Sequence, residues 1–178
     1  MLHGEKVKLT PLEREHIELF LKWFNDPEIT QYLLMYRPLT RDMEEEWFKG
    51  LKNREDFIIF SIVVPEENER GKLIGNCGIT IDWKNRVGIC GITIGEKDFH
   101  GKGYGTEAMK LLVEYGFKTL NLNRMQLETY EFNTRALKSY QKVGFIEEGL
   151  RRKAIYINGS YHDCIMLGLL RSEWENKI

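Results

Sequence analysis

The sequence has little of what marks membrane proteins or nucleic-acid-binding proteins. Its 178 residues carry a net charge of −1, so bulk charge gives no attraction for nucleic acid or an anionic membrane. The most apolar run, residues 57–64, is far too short to span a bilayer. The N-terminus lacks the basic start and apolar stretch of a signal peptide. We therefore expect no nucleic-acid partner and no membrane partner.

Cysteine is also scarce, and its pattern excludes a disulfide framework. The three cysteines are Cys77, Cys90 and Cys164. Their number is odd, none forms a Cys-x-x-Cys pair, and each lies in an apolar stretch. This pattern predicts small buried hydrophobic side chains in a reducing, cytoplasmic compartment. We expect no metal site.

The apolar periodicities predict an α+β fold. Helical spacing covers residues 17–24 and 108–115, and period-two alternation covers residues 77–83 and 125–130. The predicted order is β-α-α-β-β-β-α-β-α-β-β, with about seven mostly antiparallel strands in a central sheet flanked by helices. Because no linker or repeat interrupts the pattern, we expect residues 1–178 to form a single domain.

Short local signals predict where several elements begin and end. Thr40 or Asp42 can cap the second helix, and Asn133 can cap a short helix that ends at Gly144. Asn158-Gly159 is the strongest two-residue signal for a type I′ hairpin turn.

A glycine-rich turn lies between a strand ending at Ile94 and the helix that follows. It reads His100-Gly101-Lys102-Gly103-Tyr104-Gly105-Thr106. Alternate glycines allow a sharp bend and a close approach to a ligand, and unpaired amides at a helix start suit a pyrophosphate. The spacing differs from a P-loop and from a Rossmann turn. A coenzyme A turn, or a tight turn without a ligand, remains open on this segment alone.

Two segments together resemble the GNAT superfamily of N-acetyltransferases. The turn resembles that family's Arg/Gln-x-x-Gly-x-Gly/Ala signature, and residues 133–145 resemble its Asn-x-x-Ala-x-x-x-Tyr-x-x-x-Gly-Phe block. The resemblance implies a GNAT fold in which a splayed strand pair binds acetyl-CoA. It also implies an enzyme that transfers the acetyl group to a primary amine.

The resemblance also implies roles for individual residues. Tyr140 would be the general acid that protonates the coenzyme A sulfur. His100 replaces the usual Arg or Gln, and we expect its neutral imidazole to donate one hydrogen bond to phosphate, with somewhat weaker coenzyme A binding. The implied acetyl-CoA contacts are Thr93, Ile94, Gly95, His100, Gly101, Lys102, Gly103, Tyr104, Gly105, Thr106, Asn133 and Ala136.

The general base stays open in the sequence. The strand Val87 to Ile94 holds no carboxylate, unlike many relatives. Asp82 and Glu128 lie on neighbouring strands, where both are expected to be solvated, and a water chain is a third option.

The acceptor also stays open. The opening, residues 9–13 and 23–27, and the tail, residues 149–150 and 157–163, resemble ribosomal-protein N-terminal acetyltransferases and spermidine acetyltransferases. The resemblance implies a small-molecule amine, an amino sugar included, or a protein or peptide N-terminus as the acceptor. The acidic run Asp42, Glu44, Glu45 and Glu46 is expected to be a solvated face, and Arg37 would repel a polyamine. A non-catalytic coenzyme A sensor is the rival class, and the family also allows a homodimer.

Overall fold

The computed structural model describes residues 1–33, 35–66 and 71–176. The strands at residues 57–64 and 87–94 have the boundaries that the sequence predicts, and the strands together form one mixed sheet. In chain order they are β1 (Leu2–His3), β2 (Lys8–Pro11), β3 (Phe57–Val64), β4 (Lys72–Asp82), β5 (Val87–Ile94), β6 (Arg124–Tyr130), β7 (Ile146–Ile157) and β8 (Ser160–Leu170).

Helices flank the sheet. A 3₁₀ turn precedes the first helix, another covers Lys97–Phe99, and a π-helical turn, Tyr115–Thr119, extends the fourth helix. The α-helices are α1 (Ile17–Phe24), α2 (Pro27–Thr30), α3 (Arg41–Leu51), α4 (Tyr104–Glu114), α5 (Thr134–Val143) and α6 (Arg171–Glu175).

The strand order is β1-β2-β3-β4-β5-β6-β8-β7. All neighbouring pairs are antiparallel except β5 and β6, which are parallel. The sequence predicts about seven strands, and the eighth is β1. That strand is too short for any periodicity to reveal it, and α2 and α6 are missed for the same reason.

One feature of this order positions the site: β5 and β6 separate. Their pairing covers only Val87–Ile89 opposite Arg124–Gln126, although β5 continues to Ile94 and β6 to Tyr130. The predicted splayed strand pair is therefore present, and it leaves a wedge-shaped gap in the middle of the sheet.

Two apolar clusters hold the fold together. In the larger one, α4 buries Ala108, Met109 and Leu112 against sheet residues such as Leu9 and Ile79. In the smaller one, Phe20 and Trp23 of α1 pack with Val63 and Leu73. All three cysteines are free and buried, as predicted.

The caps and turns follow the sequence signals closely. Thr40 caps α3 by accepting a hydrogen bond from the Met43 amide at 3.3 Å. Asn158 and Gly159 both have positive φ values, 51° and 81°, as a type I′ turn requires.

The prediction that the acidic run of α3 is a solvated face is wrong for one of its residues. The side chain of Glu44 is buried, and the residue is only 5% exposed. Burial raises the pKa of its carboxyl above the ordinary range.

Candidate active site

The gap between β5 and β6 opens into a cleft of about 700 Å³. Its walls come from β4, β5, β6, the glycine turn, α5 and the segment around α2. Most of the predicted site residues line this cleft. They are Thr93, Ile94, His100, Gly101, Gly103, Gly105, Thr106, Asn133, Ala136 and Tyr140.

The glycine turn presents backbone amides at the start of α4. Gly101 and Gly103 have positive φ values of 71° and 90°, which side-chain-bearing residues rarely adopt. The first intrahelical bond runs from the Glu107 amide to the Gly103 carbonyl, at 3.0 Å. The amides of residues 104–106 therefore have no acceptor within the helix. Such an array, at the positive end of the helix dipole, suits a diphosphate.

The N-terminal segment fastens this turn from outside the cleft. The Lys6 amide donates to Glu107 Oε1 at 2.8 Å, and Lys6 Nζ donates to the Lys102 carbonyl at 3.2 Å. Tyr104 packs edge-on against Phe99, with ring centroids 5.1 Å apart. Lys102 and Tyr104 do not line the cleft. The Lys102 carbonyl and the Tyr104 ring instead take part in holding the turn.

The backbone of β5 divides its hydrogen-bonding groups between two sides. The Gly95 amide donates to the Ile74 carbonyl at 2.8 Å, and Thr93 is paired with Asn76. Because bonded and non-bonded pairs alternate in an antiparallel ladder, Ile94 directs its N–H and C=O away from β4. Ile94 thus faces the gap. Gly95 lies outside the cleft lining, and a Cβ there would lie 1.9 Å from Trp23.

His100 makes a contact that the sequence does not predict. Its Nε2 lies 2.7 Å from the Ile94 carbonyl oxygen. Burial lowers the pKa of His100, with smaller contributions in the same direction from Arg135 and Lys97, although the bond to Ile94 acts the other way. The single N–H of this neutral imidazole already has an acceptor, so the hydrogen bond to phosphate that the sequence predicts would compete with the contact to Ile94.

Helix α5 brings Tyr140 to the cleft. Asn133 caps the helix by accepting from the Ala136 amide at 3.3 Å, and Gly144 ends it in the left-handed conformation. Tyr140 is 9% exposed, and burial near Cys90 raises its pKa to about 12. Its hydroxyl makes no hydrogen bond within the described residues, so it is free to meet a ligand.

Cations from α5 line the same cleft. Arg135, Lys138 and Lys142 all line it, and none of them is among the predicted site residues. Their spacing of three and four residues places them on one helix face, which is the signal that would have found them. They add positive charge to a cleft in which the amides of the glycine turn already favour an anion.

The remaining walls combine apolar and aromatic side chains from distant segments with the polar residues Asn76, Thr80 and Thr129. Arg135 lies over the Tyr32 ring, 5.6 Å from its centroid. No local pattern predicts that these residues meet, because tertiary packing alone assembles them. They include Ile29, Tyr32, Leu33, Phe57, Ile59, Ile89 and Tyr130.

The two candidate bases differ in position. Glu128 lines the cleft and is its only carboxylate among the described lining residues. It pairs with Arg151, and Cys164 Sγ lies 3.4 Å from its Oε2. Asp82 is outside the cleft, where it accepts from the amide and side chain of Asn85 at 3.0 and 2.7 Å. These hydrogen bonds lower the pKa of Asp82.

The described part of the chain lacks two further features. No group of three or more His, Cys, Asp or Glu side chains is placed to hold a metal ion there. No helix in those residues combines the length and apolarity needed to cross a membrane.

Comparisons with known proteins agree with this geometry. Residues 6–146 match the model of the acetyltransferase (GNAT) domain family. An uncharacterized N-acetyltransferase, p20, of Bacillus licheniformis is 33% identical, with 97% of each chain covered. A putative ribosomal N-acetyltransferase, YdaF, of Bacillus subtilis is 36% identical over 60% of this chain and 58% of its own.

A solved structure extends the agreement to three dimensions. The spermidine N-acetyltransferase of Vibrio cholerae, in complex with CoA and spermine, has a TM-score of 0.88 at 25% identity, covering 97% of this chain and 100% of its own. The family match thus agrees with three features of the site: the glycine turn at a helix start, the splayed strand pair and the buried tyrosine beside them. The chain belongs to the GNAT family and is an acetyl-CoA-dependent N-acetyltransferase.

Proposed function

We propose that the acceptor is the N-terminal amine of a peptide or protein. The observation that carries this proposal is the shortage of free carboxylates in the cleft. Among the described lining residues Glu128 is the one carboxylate, and it is already paired with Arg151. A polyamine with several positive charges needs several carboxylates, whereas a peptide N-terminus brings one cation and an uncharged backbone.

The acidic run on α3 adds little attraction for a polyamine. Glu45 is paired with Arg14 at 3.0 Å and lies 3.8 Å from Lys49. Glu44 is buried, and no residue of α3 lines the cleft. The second candidate is nevertheless a polyamine acetyltransferase, because the fold closely matches an enzyme whose structure was determined with spermine.

We place acetyl-CoA in the cleft, with its diphosphate on the amides of residues 101–106 and its pantetheine arm along the free edge of β5. The cations of α5 lie within reach of its phosphates. Tyr140, held protonated by its burial, donates its proton to the departing sulfur. A phenol with a raised pKa is neutral near pH 7 and is able to fill this role.

Glu128 is the proposed base, acting directly or through one water. The amine nitrogen bonds to the acetyl carbon, and the carbon–sulfur bond breaks. The sulfur keeps that electron pair and takes the Tyr140 proton, while the amine proton passes to Glu128. A peptide α-amine, with a pKa of about 8, needs far less help in losing a proton than an alkylamine at about 10. A carboxylate that is paired with arginine is therefore sufficient for a peptide acceptor.

An acceptor panel tests the proposal. Thiol release from acetyl-CoA is measured with peptides that start with Ser or Ala, with spermidine, with aminoglycosides and with amino sugars. We expect the highest kcat/KM for a peptide. A higher value for spermidine would favour the polyamine alternative, and coenzyme A binding with no turnover on any amine would favour a sensor.

Paired variants test the base. Glu128→Gln removes the carboxylate in the cleft, and Asp82→Asn is its matched control in a nearby turn. We expect kcat to fall at least about 100-fold for the first variant, the lower range for a general base, and less than about twofold for the second. Equal effects would exclude Glu128 from this role.

Three further assignments belong to this proposal. We assign residues 1–178 to one domain. Because the three cysteines are free thiols, we also assign the protein to a reducing cytoplasm.

We also propose a homodimer through β7, an edge strand that exposes Ile146 and Leu150. Light scattering tests the dimer: Leu150→Lys should give a monomer, and a wild-type monomer would refute it.

A further inference from the structure

A second feature of the cleft concerns His100, the residue that departs from the family's turn signature. Its Nε2 lies 2.7 Å from the Ile94 carbonyl oxygen. A carbonyl has no proton to give, so Nε2 must be the donor. The tautomer is thereby fixed, with the proton on Nε2 and a lone pair on Nδ1.

The surroundings keep this imidazole neutral. It is partly buried, and the charged groups that act on it are both cations: Lys97 on the preceding turn and Arg135 on α5. Burial and these two charges lower the pKa of His100. A neutral imidazole with Nε2–H engaged has no second donor. It therefore cannot donate to a phosphate oxygen without releasing Ile94.

The residue that accepts this hydrogen bond, Ile94, indicates what the contact does. Ile94 is the last residue of β5 and points its backbone groups into the gap. His100 is the first residue of the glycine turn, so the hydrogen bond joins the end of the strand to the start of the turn. It spans six residues and closes the segment that carries both proposed binding surfaces for coenzyme A.

We infer that His100 is a positioning residue, not a phosphate ligand: its Nε2–H holds the glycine turn against the free edge of β5 through the Ile94 carbonyl. The inference rests on the proposed placement of acetyl-CoA. In this arrangement the Ile94 carbonyl accepts its hydrogen bond from His100. The other backbone N–H and C=O groups along the free edge of β5 are left to bond the pantetheine arm. The turn is then held in place before the diphosphate arrives.

The first measurement is the tautomer. Long-range ¹H–¹⁵N correlation spectra of ¹⁵N-histidine-labelled protein report which ring nitrogen carries the proton. The chain has four histidines, so the spectrum of His100→Gln identifies the His100 signals by their loss. We expect the Nε2–H form at pH 7.5, both in the free protein and with saturating coenzyme A. An Nδ1–H form in either state would overturn the inference.

The second measurement is the affinity for coenzyme A in two variants. Gln at position 100 can still donate to the Ile94 carbonyl, whereas His100→Phe keeps a ring of similar size without a donor. We expect calorimetry to give a Kd within about twofold of wild type for His100→Gln and about fivefold higher for His100→Phe, the factor that one neutral hydrogen bond typically carries. A Kd for His100→Phe equal to that of wild type would overturn the inference.

These outcomes are separate from those that test the proposed function. Wild-type protein that gives no heat with coenzyme A would count against the proposed function. The tautomer in the free protein would still decide the role of His100.

Discussion

Replacing Tyr140 with phenylalanine removes one hydroxyl from the cleft and leaves the ring in place. That hydroxyl makes no hydrogen bond within the residues that the structure describes, and the ring is only 9% exposed. Removing it therefore creates no cavity and leaves no partner unsatisfied. We expect the free energy of unfolding to change by less than about 1 kcal/mol, so any loss of activity would be chemical.

The expected loss of activity is large. A positioned general acid contributes about 10²–10⁴-fold, which corresponds to about 2.7–5.5 kcal/mol of transition-state stabilisation. We expect kcat to fall within this range while the Kd for coenzyme A stays within about twofold. Single-turnover thiol release under saturating acceptor is the appropriate assay, because it reports the chemical step even when product release limits kcat.

Tyr130→Phe is the matched control. Tyr130 lines the same cleft, is similarly buried, and has a pKa that burial also raises to about 12. Both phenols are buried and both have raised pKa values, although Cys164 and Glu128 contribute at Tyr130 and Cys90 at Tyr140. The comparison therefore tests their different positions in the cleft. A loss below about threefold for Tyr140→Phe, or an equal loss for Tyr130→Phe, would refute the assignment of the acid.

Three further predictions concern stability, measured by urea denaturation. Gly95→Ala should lower the free energy of unfolding by at least about 2 kcal/mol, because the new Cβ would lie 1.9 Å from Trp23. Gly50→Ala, whose new Cβ has no atom of the described residues within 4 Å, should leave it unchanged or raise it by up to about 1 kcal/mol. Glu44→Gln should raise the free energy of unfolding at pH 7 by about 1 kcal/mol, because burial disfavours the charged carboxylate. Burial lowers the pKa of His16, so its folded form resists protonation, and wild type should lose stability between pH 7.5 and 5.5 more steeply than His16→Gln.

Each of these stability predictions has a contradicting result. Equal stability of the two alanine variants would show that Trp23 of α1 moves aside at little cost to accommodate a Cβ at position 95. A destabilised Glu44→Gln variant would mean that the carboxylate has a favourable partner. The pH prediction rests on the His16 Nδ1 atom, which accepts from the Glu13 amide at 3.1 Å and lies 2.8 Å from Ser61 Oγ. Identical pH profiles for the two proteins would contradict it.

The sequence predicts the fold well where signals are local. Strands β3 and β5 have the predicted boundaries, and α5 begins and ends at its predicted caps, Asn133 and Gly144. The signals for these elements lie within their own residues, because alternation, capping and glycine conformation each act over a few positions. Strand β1 escaped prediction because two residues contain no period.

The site is predictable only in part, for a related reason. The turn and Tyr140 come from two continuous segments, so the resemblance located them. The aromatic wall around Tyr32 and Phe57 is built from segments that meet only in the folded chain. The hydrogen bond from His100 to Ile94 likewise depends on the path of the turn in space. The burial of Glu44 was missed because a charged run looks solvated in sequence.

A crystal structure of the protein with coenzyme A tests the central claim most directly. We predict that the diphosphate contacts the amides of residues 101–106, and that the sulfur lies within about 4 Å of the Tyr140 hydroxyl, a reach that allows a weak hydrogen bond to sulfur. A diphosphate bound elsewhere, or a sulfur directed away from Tyr140, would contradict the account.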